Sequence, residues 1–175
     1  MNASMDRHLH HQSVQRALEL GRGTDAAALP ELAQLLGMPS AEIRRLAASA
    51  MGKLAGFGAD APFAVRALAP IALHDPHPQT RQYALKALKV YGLAFHAHLH
   101  DLDDLARNEQ AQDYVRRAAH SAAESIREAE RLSVADAVLR CARCAQRVSP
   151  DKHARSRTAF QRPFCDRCFD EVYLE

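Results

Sequence analysis

The chain repeats a nine-residue stretch, IRRLAASAM at residues 43–51, at two later places. The later copies are TRQYALKAL at residues 80–88 and VRRAAHSAA at residues 115–123, and all three align without internal gaps. The residues shared by the copies are Arg44, Arg81 and Arg116, Ala47, Ala84 and Ala119, and Ala50, Ala87 and Ala122. Spacings of 37 and 35 residues indicate stacked supersecondary units.

Each unit is predicted to be a pair of helices. The repeated stretch supplies the second helix, whose small alanines allow close approach of a neighbouring helix. The first helices are predicted at 26–36, 62–73 and 97–106, and a leading helix at 5–20. Pro30 and Pro70 are expected to bend two of the first helices. Gly37, Gly52 and Gly92 are expected to end helices as left-handed caps.

This pattern resembles the HEAT repeat family, in its short bacterial form, over about residues 12–130. The resemblance depends on Arg-x-x-Ala-x-x-Ala at three places and on Asp75-Pro76 in the second turn. It implies an all-α fold, an α-α superhelix of helix pairs. It also implies that Arg44, Arg81 and Arg116 bind an acid or carbonyl of a neighbouring unit, with a direct ligand role as the alternative. Tetratricopeptide and ankyrin signatures are absent from the sequence.

Composition excludes several classes of protein. Of 175 residues, 47% are hydrophobic and 25% charged, as in soluble globular proteins, and no apolar run is long enough to span a membrane. There is no Trp and aromatic residues make up only 6%, which disfavours an all-β fold. The N-terminus lacks the pattern of a secretory signal, so we expect a cytoplasmic protein. A formal net charge of +2 does not identify a partner.

All four cysteines lie near the C-terminus as C-x2-C, twenty intervening residues and C-x2-C. Two such pairs supply the four tetrahedral ligands of structural zinc. The sequence therefore predicts one structural zinc ion per chain. Iron, two disulfides and a thioredoxin-type redox pair are the alternatives, and the last lacks its α/β context. The predicted ligands are Cys141, Cys144, Cys165 and Cys168.

The segment around the cysteines is predicted to form a small module of its own. Strands are predicted at 146–149 and 159–164 and a helix at 169–174, an order that resembles a treble-clef finger. A zinc ribbon, which places the second cysteine pair on a hairpin turn, is the alternative. The resulting domains are 1–132 for the helical repeats, 133–139 for a linker and 140–175 for the zinc finger.

The finger is also rich in basic residues. Residues 140–167 carry eight basic and two acidic side chains. Some arginines are expected to offset the charge of a four-thiolate zinc site, but Arg155, Arg157 and Arg162 lie away from the cysteine pairs. These three are candidate partner-binding residues.

The predicted function is a non-catalytic scaffold that binds a protein partner through its repeat surface. A nucleic-acid-binding module that uses the basic face of the finger is the alternative. An enzyme is a third class, because HEAT-like lyases and glycosylases exist, but no catalytic residues are recognisable.

The histidines offer a second, minor metal-site hypothesis, with His96, His100 and Asp103 as ligands. The preferred interpretation is that these histidines are exposed to solvent and bind no metal.

Overall fold

The computed structural model describes residues 3–149, 152, 155, 156 and 161–173. Most of these residues are helical. The α-helices whose bounds lie within the described residues are α1 Ala3–Leu20, α2 Leu29–Leu36, α3 Ala41–Leu54, α4 Ala61–His74, α5 Pro78–Tyr91, α6 Leu99–Arg107, α7 Asp113–Val138 and α8 Asp166–Tyr173. Short 3₁₀ helices cover Ala26–Ala28, Ala55–Phe57 and Gly92–His98. Within the described ranges, no helix has the length and apolar character needed to cross a membrane.

The first two repeats form the predicted helix pairs. Helix α2 packs on α3, and α4 packs on α5. The second helices α3 and α5 also pack on each other, so that one apolar core runs through successive pairs. Apolar residues of α6 and α7, such as Leu102 and Ile126, complete that core and are fully buried. The architecture is therefore an all-α stack of helix pairs, as the repeats predict.

Alanines form the contact surface between helices. All the alanines shared by the three copies are buried, and Ala47, Ala84 and Ala119 have no exposed surface. The prediction for Gly52 is wrong, because α3 continues past it to Leu54. A Cβ atom at Gly52 would lie 2.9 Å from both Cα and Cβ of Ala87. Gly52 thus permits the close approach of α3 to α5 rather than ending a helix.

Three other predictions about helix ends need correction. Pro30 lies in the first turn of α2, where a missing N–H costs no hydrogen bond, so it does not bend that helix. Pro70 does lie inside α4. Gly37 ends α2 in a right-handed conformation, with φ of −85°. Gly92 ends α5 with a φ of 53° and a ψ of −121°, so its φ is positive but its conformation is not the predicted left-handed cap.

The predicted arginine ladder is present at one position of three. Arg44 donates to both carboxylate oxygens of Asp75 in the next pair, at 2.6 and 2.9 Å. Arg81 instead donates to the carbonyl of Ala72 in its own pair, at 3.4 Å. Arg116 donates to Asp113 of its own helix at 3.3 Å. The position equivalent to Asp75 before α7 is Gln110, which offers Arg81 no carboxylate.

The chain divides into two compact units, Met1–Arg127 and Glu128–Glu175. Residues 133–138 of the predicted linker are helical, since α7 extends to Val138. In the second unit, the described residues contain an isolated antiparallel bridge between Arg140 and Arg147 in place of the predicted strand at 146–149. Residues 161–164 of the second predicted strand are irregular, and 159–160 lie outside the described residues. The C-terminal helix begins at Asp166, three residues earlier than predicted.

Candidate metal centre

The first cysteine pair lies on a tight turn closed by the backbone. The N–H of Cys141 donates to the carbonyl of Gln146 at 2.8 Å, and the N–H of Ala145 donates to the carbonyl of Cys141 at 3.0 Å. Ala145 has a φ of 58°, a left-handed conformation that is costly for any residue except glycine. The turn, which includes this strained residue, therefore keeps the two cysteines of the pair close together.

The second pair lies at the start of α8. Cys165 immediately precedes the helix, and Cys168 is in its first turn. The N–H of Phe169 donates to the carbonyl of Cys165 at 2.7 Å, which closes that turn. The N–H of Ala142 donates to the carbonyl of Pro163 at 2.7 Å and so connects the two cysteine-bearing segments. Local spacing places two sulfurs in each segment, and this connection brings the segments together.

The four sulfurs form one cluster. Each Sγ atom lies within 4.8 Å of every other, and those of Cys144 and Cys165 are 3.6 Å apart. The cysteines are free, and 3.6 Å is far longer than a disulfide bond of about 2 Å. In a tetrahedral four-thiolate site with metal–sulfur bonds of about 2.3 Å, neighbouring sulfurs lie about 3.8 Å apart. The four cysteines are therefore positioned to coordinate a metal ion.

Two thiols of the cluster, those of Cys141 and Cys168, have strongly shifted pKa values. Burial raises the pKa of Cys141, but backbone N–H groups of Cys165, Cys144 and Arg143 outweigh burial and lower that pKa to about 6. Burial, followed by the three neighbouring thiols, raises the pKa of Cys168 to about 12. The position of Cys168 at a helix N-terminus favours its thiolate, as expected from the helix dipole, but these two effects are larger. Four thiolates at this spacing need a cation among them.

A small group of side chains surrounds the cluster. Val148 is buried against Cys141 and Cys168, and Phe164 packs on them. Ser156 is fully buried, and its hydroxyl accepts the N–H of Phe164 at 3.0 Å. The apolar core of this unit is thus very small in the part of the chain that the structure describes, which leaves the cysteine cluster at its centre.

Acids engage several basic residues of the finger, and one of these acids, Glu171, lies beyond the range 140–167 over which the charge was counted. Glu171 pairs with Arg143 and Arg167, each at 3.3 Å. Lys152 forms an ion pair with Asp166. Glu171 lies four residues after Arg167 on α8, the spacing of neighbouring side chains on a helix, but the helix predicted at 169–174 excludes Arg167. Over residues 140–175 the formal net charge is +3.

Of the three candidate partner-binding arginines, the structure describes two. Arg155 is exposed, and its guanidinium lies 4.5 Å from the centre of the Phe169 ring. Arg162 is exposed in a bend before the second cysteine pair. Arg157 lies outside the described residues. The two described arginines are thus accessible, and Arg155 is oriented by an aromatic ring.

The minor histidine hypothesis does not hold. His96 lies in a 3₁₀ helix and His100 in α6, so the two are not a pair on one helix. Asp103 pairs with Arg127 at 2.5 Å, and His100 pairs with Asp104 at 3.6 Å. Among the described residues, the four cysteines form the one group able to hold a metal ion.

Comparison with known proteins supports the repeat assignment. Residues 11–89 match the family model of HEAT repeats, a segment that extends from within α1 to within α5. No curated protein and no solved structure matches the chain. The third copy of the repeated stretch lies beyond the matched segment, but its buried alanines belong to the same core. Residues 11–89 of the helical unit are therefore similar to HEAT repeats, and the four cysteines near the C-terminus are positioned to bind a metal ion.

Proposed function

We propose that this protein is a non-catalytic scaffold that binds a protein partner through its HEAT repeat surface and carries one structural zinc ion in its C-terminal unit. The match of residues 11–89 to HEAT repeats is the observation that carries the scaffold role. Stacked repeats expose extended surfaces formed by successive helices, and such surfaces suit protein partners.

Zinc is the proposed metal because four thiolates in a tetrahedral arrangement match its preferred ligands. The proposed ligands are Cys141, Cys144, Cys165 and Cys168. Four protein ligands leave no position for water, so the ion would stabilise the fold rather than activate a nucleophile. Thiolates that bind a metal must remain reduced, so we propose a reducing compartment, the cytoplasm.

A treble clef is the proposed arrangement of the finger. Cys165 and Cys168 lie at the N-terminus of α8, as a treble clef requires. In a zinc ribbon the second pair would lie on a hairpin turn instead. The proposed domains are 1–132 and 140–175 with a connection at 133–139.

The partner is proposed to be a protein rather than a nucleic acid. Acids engage several finger cations, namely Glu171 with Arg143 and Arg167, and Asp166 with Lys152. This reduces the positive charge that a phosphate backbone would need. Arg155, Arg157 and Arg162 are the finger residues proposed to contact the partner.

Metal analysis of the purified protein tests the zinc site. We expect one zinc and almost no iron per chain, together with four thiols that become reactive when the metal is removed. Cys165→Ser should abolish stoichiometric zinc. Every cysteine of the chain belongs to the cluster, so untreated and chelator-treated wild-type protein serve as controls. Stoichiometric iron, or oxidised cysteines without metal in fresh protein, would contradict the proposal.

Affinity capture tests the scaffold role. The full chain, expressed in its native host, should retain the same protein in stoichiometric amount with and without nuclease treatment. A partner that disappears on nuclease treatment would favour the nucleic-acid alternative. Capture of no stoichiometric partner would overturn the scaffold role.

A further inference from the structure

The second helices of the repeats present cations at one groove. Repeat register places Arg45, Gln82 and Arg117 at equivalent positions, and Ser49, Lys86 and Ser121 four residues later. Between α5 and α7 lies an open groove of about 300 Å³. Its polar lining consists of Gln82, Lys86, Lys89, Tyr114, Arg117 and Ser121, and we call it the basic groove.

The cations at the groove are held in place by uncharged groups. The ammonium of Lys86 lies 5.4 Å from the centre of the Tyr83 ring, and the guanidinium of Arg45, which is outside the groove lining, lies 5.1 Å from the same ring. Lys89 donates to the hydroxyl of Ser121 at 2.9 Å. Within the described part of the chain, Arg45, Lys86 and Lys89 form no ion pair with a carboxylate. Their charges are therefore available to an external anion.

One carboxylate approaches the groove. Asp113 pairs with Arg117 at 2.9 Å and also with Arg116 at 3.3 Å. Arg117 nevertheless has three quarters of its side chain exposed, so its guanidinium can accept a second acid. The groove therefore keeps a net positive charge after the Asp113–Arg117 pair is counted.

The hydrogen-bond donors that line the groove indicate which class of ligand it can bind. Ammonium, guanidinium, amide and phenol groups within about 300 Å³ suit a few carboxylates spaced along an extended chain. A nucleic acid needs a longer basic track, and the formal net charge of the whole chain is only +2. We propose that the basic groove binds an acidic peptide segment of the protein partner. This inference rests on the proposed scaffold function, which supplies the protein partner.

Fluorescence anisotropy with a labelled peptide tests the inference. The probe is a Glu-rich peptide of about ten residues, compared with a Lys-rich peptide of the same length. The full chain should bind the acidic probe, with an affinity that falls as salt rises. Lys86→Gln with Lys89→Gln should weaken binding by about tenfold, because each lost charge contact contributes a few-fold.

The matched control is Arg66→Gln with Arg107→Gln. This pair removes the same charge from exposed positions on the first helices α4 and α6, and should change affinity by less than about twofold. If the lysine variant melts early, Arg117→Gln provides the same test, since its side chain is largely exposed. Equal losses in lysine and control variants, or no binding at about 1 mM protein, would overturn the inference.

Two further measurements separate the groove from the scaffold role. An oligonucleotide of equal charge that binds more tightly than the peptide, and loses affinity in the lysine variant, would overturn the acidic-peptide assignment. If the variant Lys86→Gln with Lys89→Gln still captures the native partner, the proposal that the groove binds that partner is wrong, but the scaffold role remains intact. Failure of the wild-type chain to capture any partner would overturn the scaffold role, and the inference with it.

Discussion

Two arginine–carboxylate pairs of similar geometry differ in burial. Arg44 and Asp75 join successive helix pairs, and their side chains are only 11% and 2% exposed. Arg16 and Glu31 also form two bonds, at 2.6 and 2.7 Å, but are 49% and 40% exposed. The hydrogen bond from Arg16 lowers the pKa of Glu31, yet water screens this pair. Burial rather than bond geometry should therefore decide which pair stabilises the fold.

Asp75→Ala should lower the free energy of unfolding by about 3 kcal/mol, because Arg44 keeps its charge in a largely buried site. Chemical denaturation at neutral pH measures this, and Glu31→Ala is the control, for which a far smaller change is expected. Burial raises the pKa of Asp75, but hydrogen bonds from Arg44 and His77 outweigh it and hold the pKa below its ordinary value. Since the folded pKa is depressed, the stabilisation is present above pH about 4 and lost below it. A variant as stable as wild type would contradict the role of this pair.

At the scale of elements, the contact between α3 and α5 joins the first two repeats. Besides Gly52 and Ala87, two hydrogen bonds cross it. The hydroxyl of Tyr91 donates to the carbonyl of Met51 at 2.7 Å, and that of Thr80 donates to the carbonyl of Ala41 at 3.3 Å. Burial raises the pKa of Tyr91 to about 12, so its phenol remains a donor at neutral pH. The contact therefore depends on the absence of a side chain at Gly52 and on the two hydrogen bonds between the helices.

Gly52→Ala should destabilise the protein even though alanine is the better helix former. The gain in helix propensity is about 1 kcal/mol, whereas overpacking costs about 1–3 kcal/mol when backbone must move. We expect a lower melting temperature, measured by circular dichroism. Gly56→Ala is the matched control, because a Cβ there meets no atom within 4 Å, and it should leave the melting temperature nearly unchanged. A rise in melting temperature for Gly52→Ala would show that the helices can separate without cost.

At the scale of the whole molecule, the two units differ in what stabilises them. Met1–Arg127 contains the large apolar core, with buried residues from α2 through α7. The described core of Glu128–Glu175 consists of Cys141, Val148 and Cys168, with Phe164 and Cys165 packed on it. The described core alone is too small to offset the loss of chain entropy, and we expect a bound metal to supply most of the stability.

Metal removal should therefore unfold the C-terminal unit alone. A strong chelator, or Cys168→Ser, should remove the contribution of α8 and leave most of the far-ultraviolet helical signal. Hydrogen exchange followed by mass spectrometry should show lost protection in residues 139–173 and retained protection in α3 and α5. Collapse of the whole helical signal would mean that the repeats depend on the metal too.

The repeat, the helix pairs and the cysteine spacing could be read from the sequence, because each is a local pattern. Periodicity places alanines on one helix face, and two residues between cysteines place both sulfurs on one turn. The tertiary structure alone decided that Gly52 is a helix contact, that Asp75 pairs with Arg44 while Arg81 binds a carbonyl instead, and that Glu171 pairs with the distant Arg143. These outcomes depend on how closely two helices approach and on which charges, far apart in the chain, are brought within bonding distance. Packing sets both, and no local pattern records them.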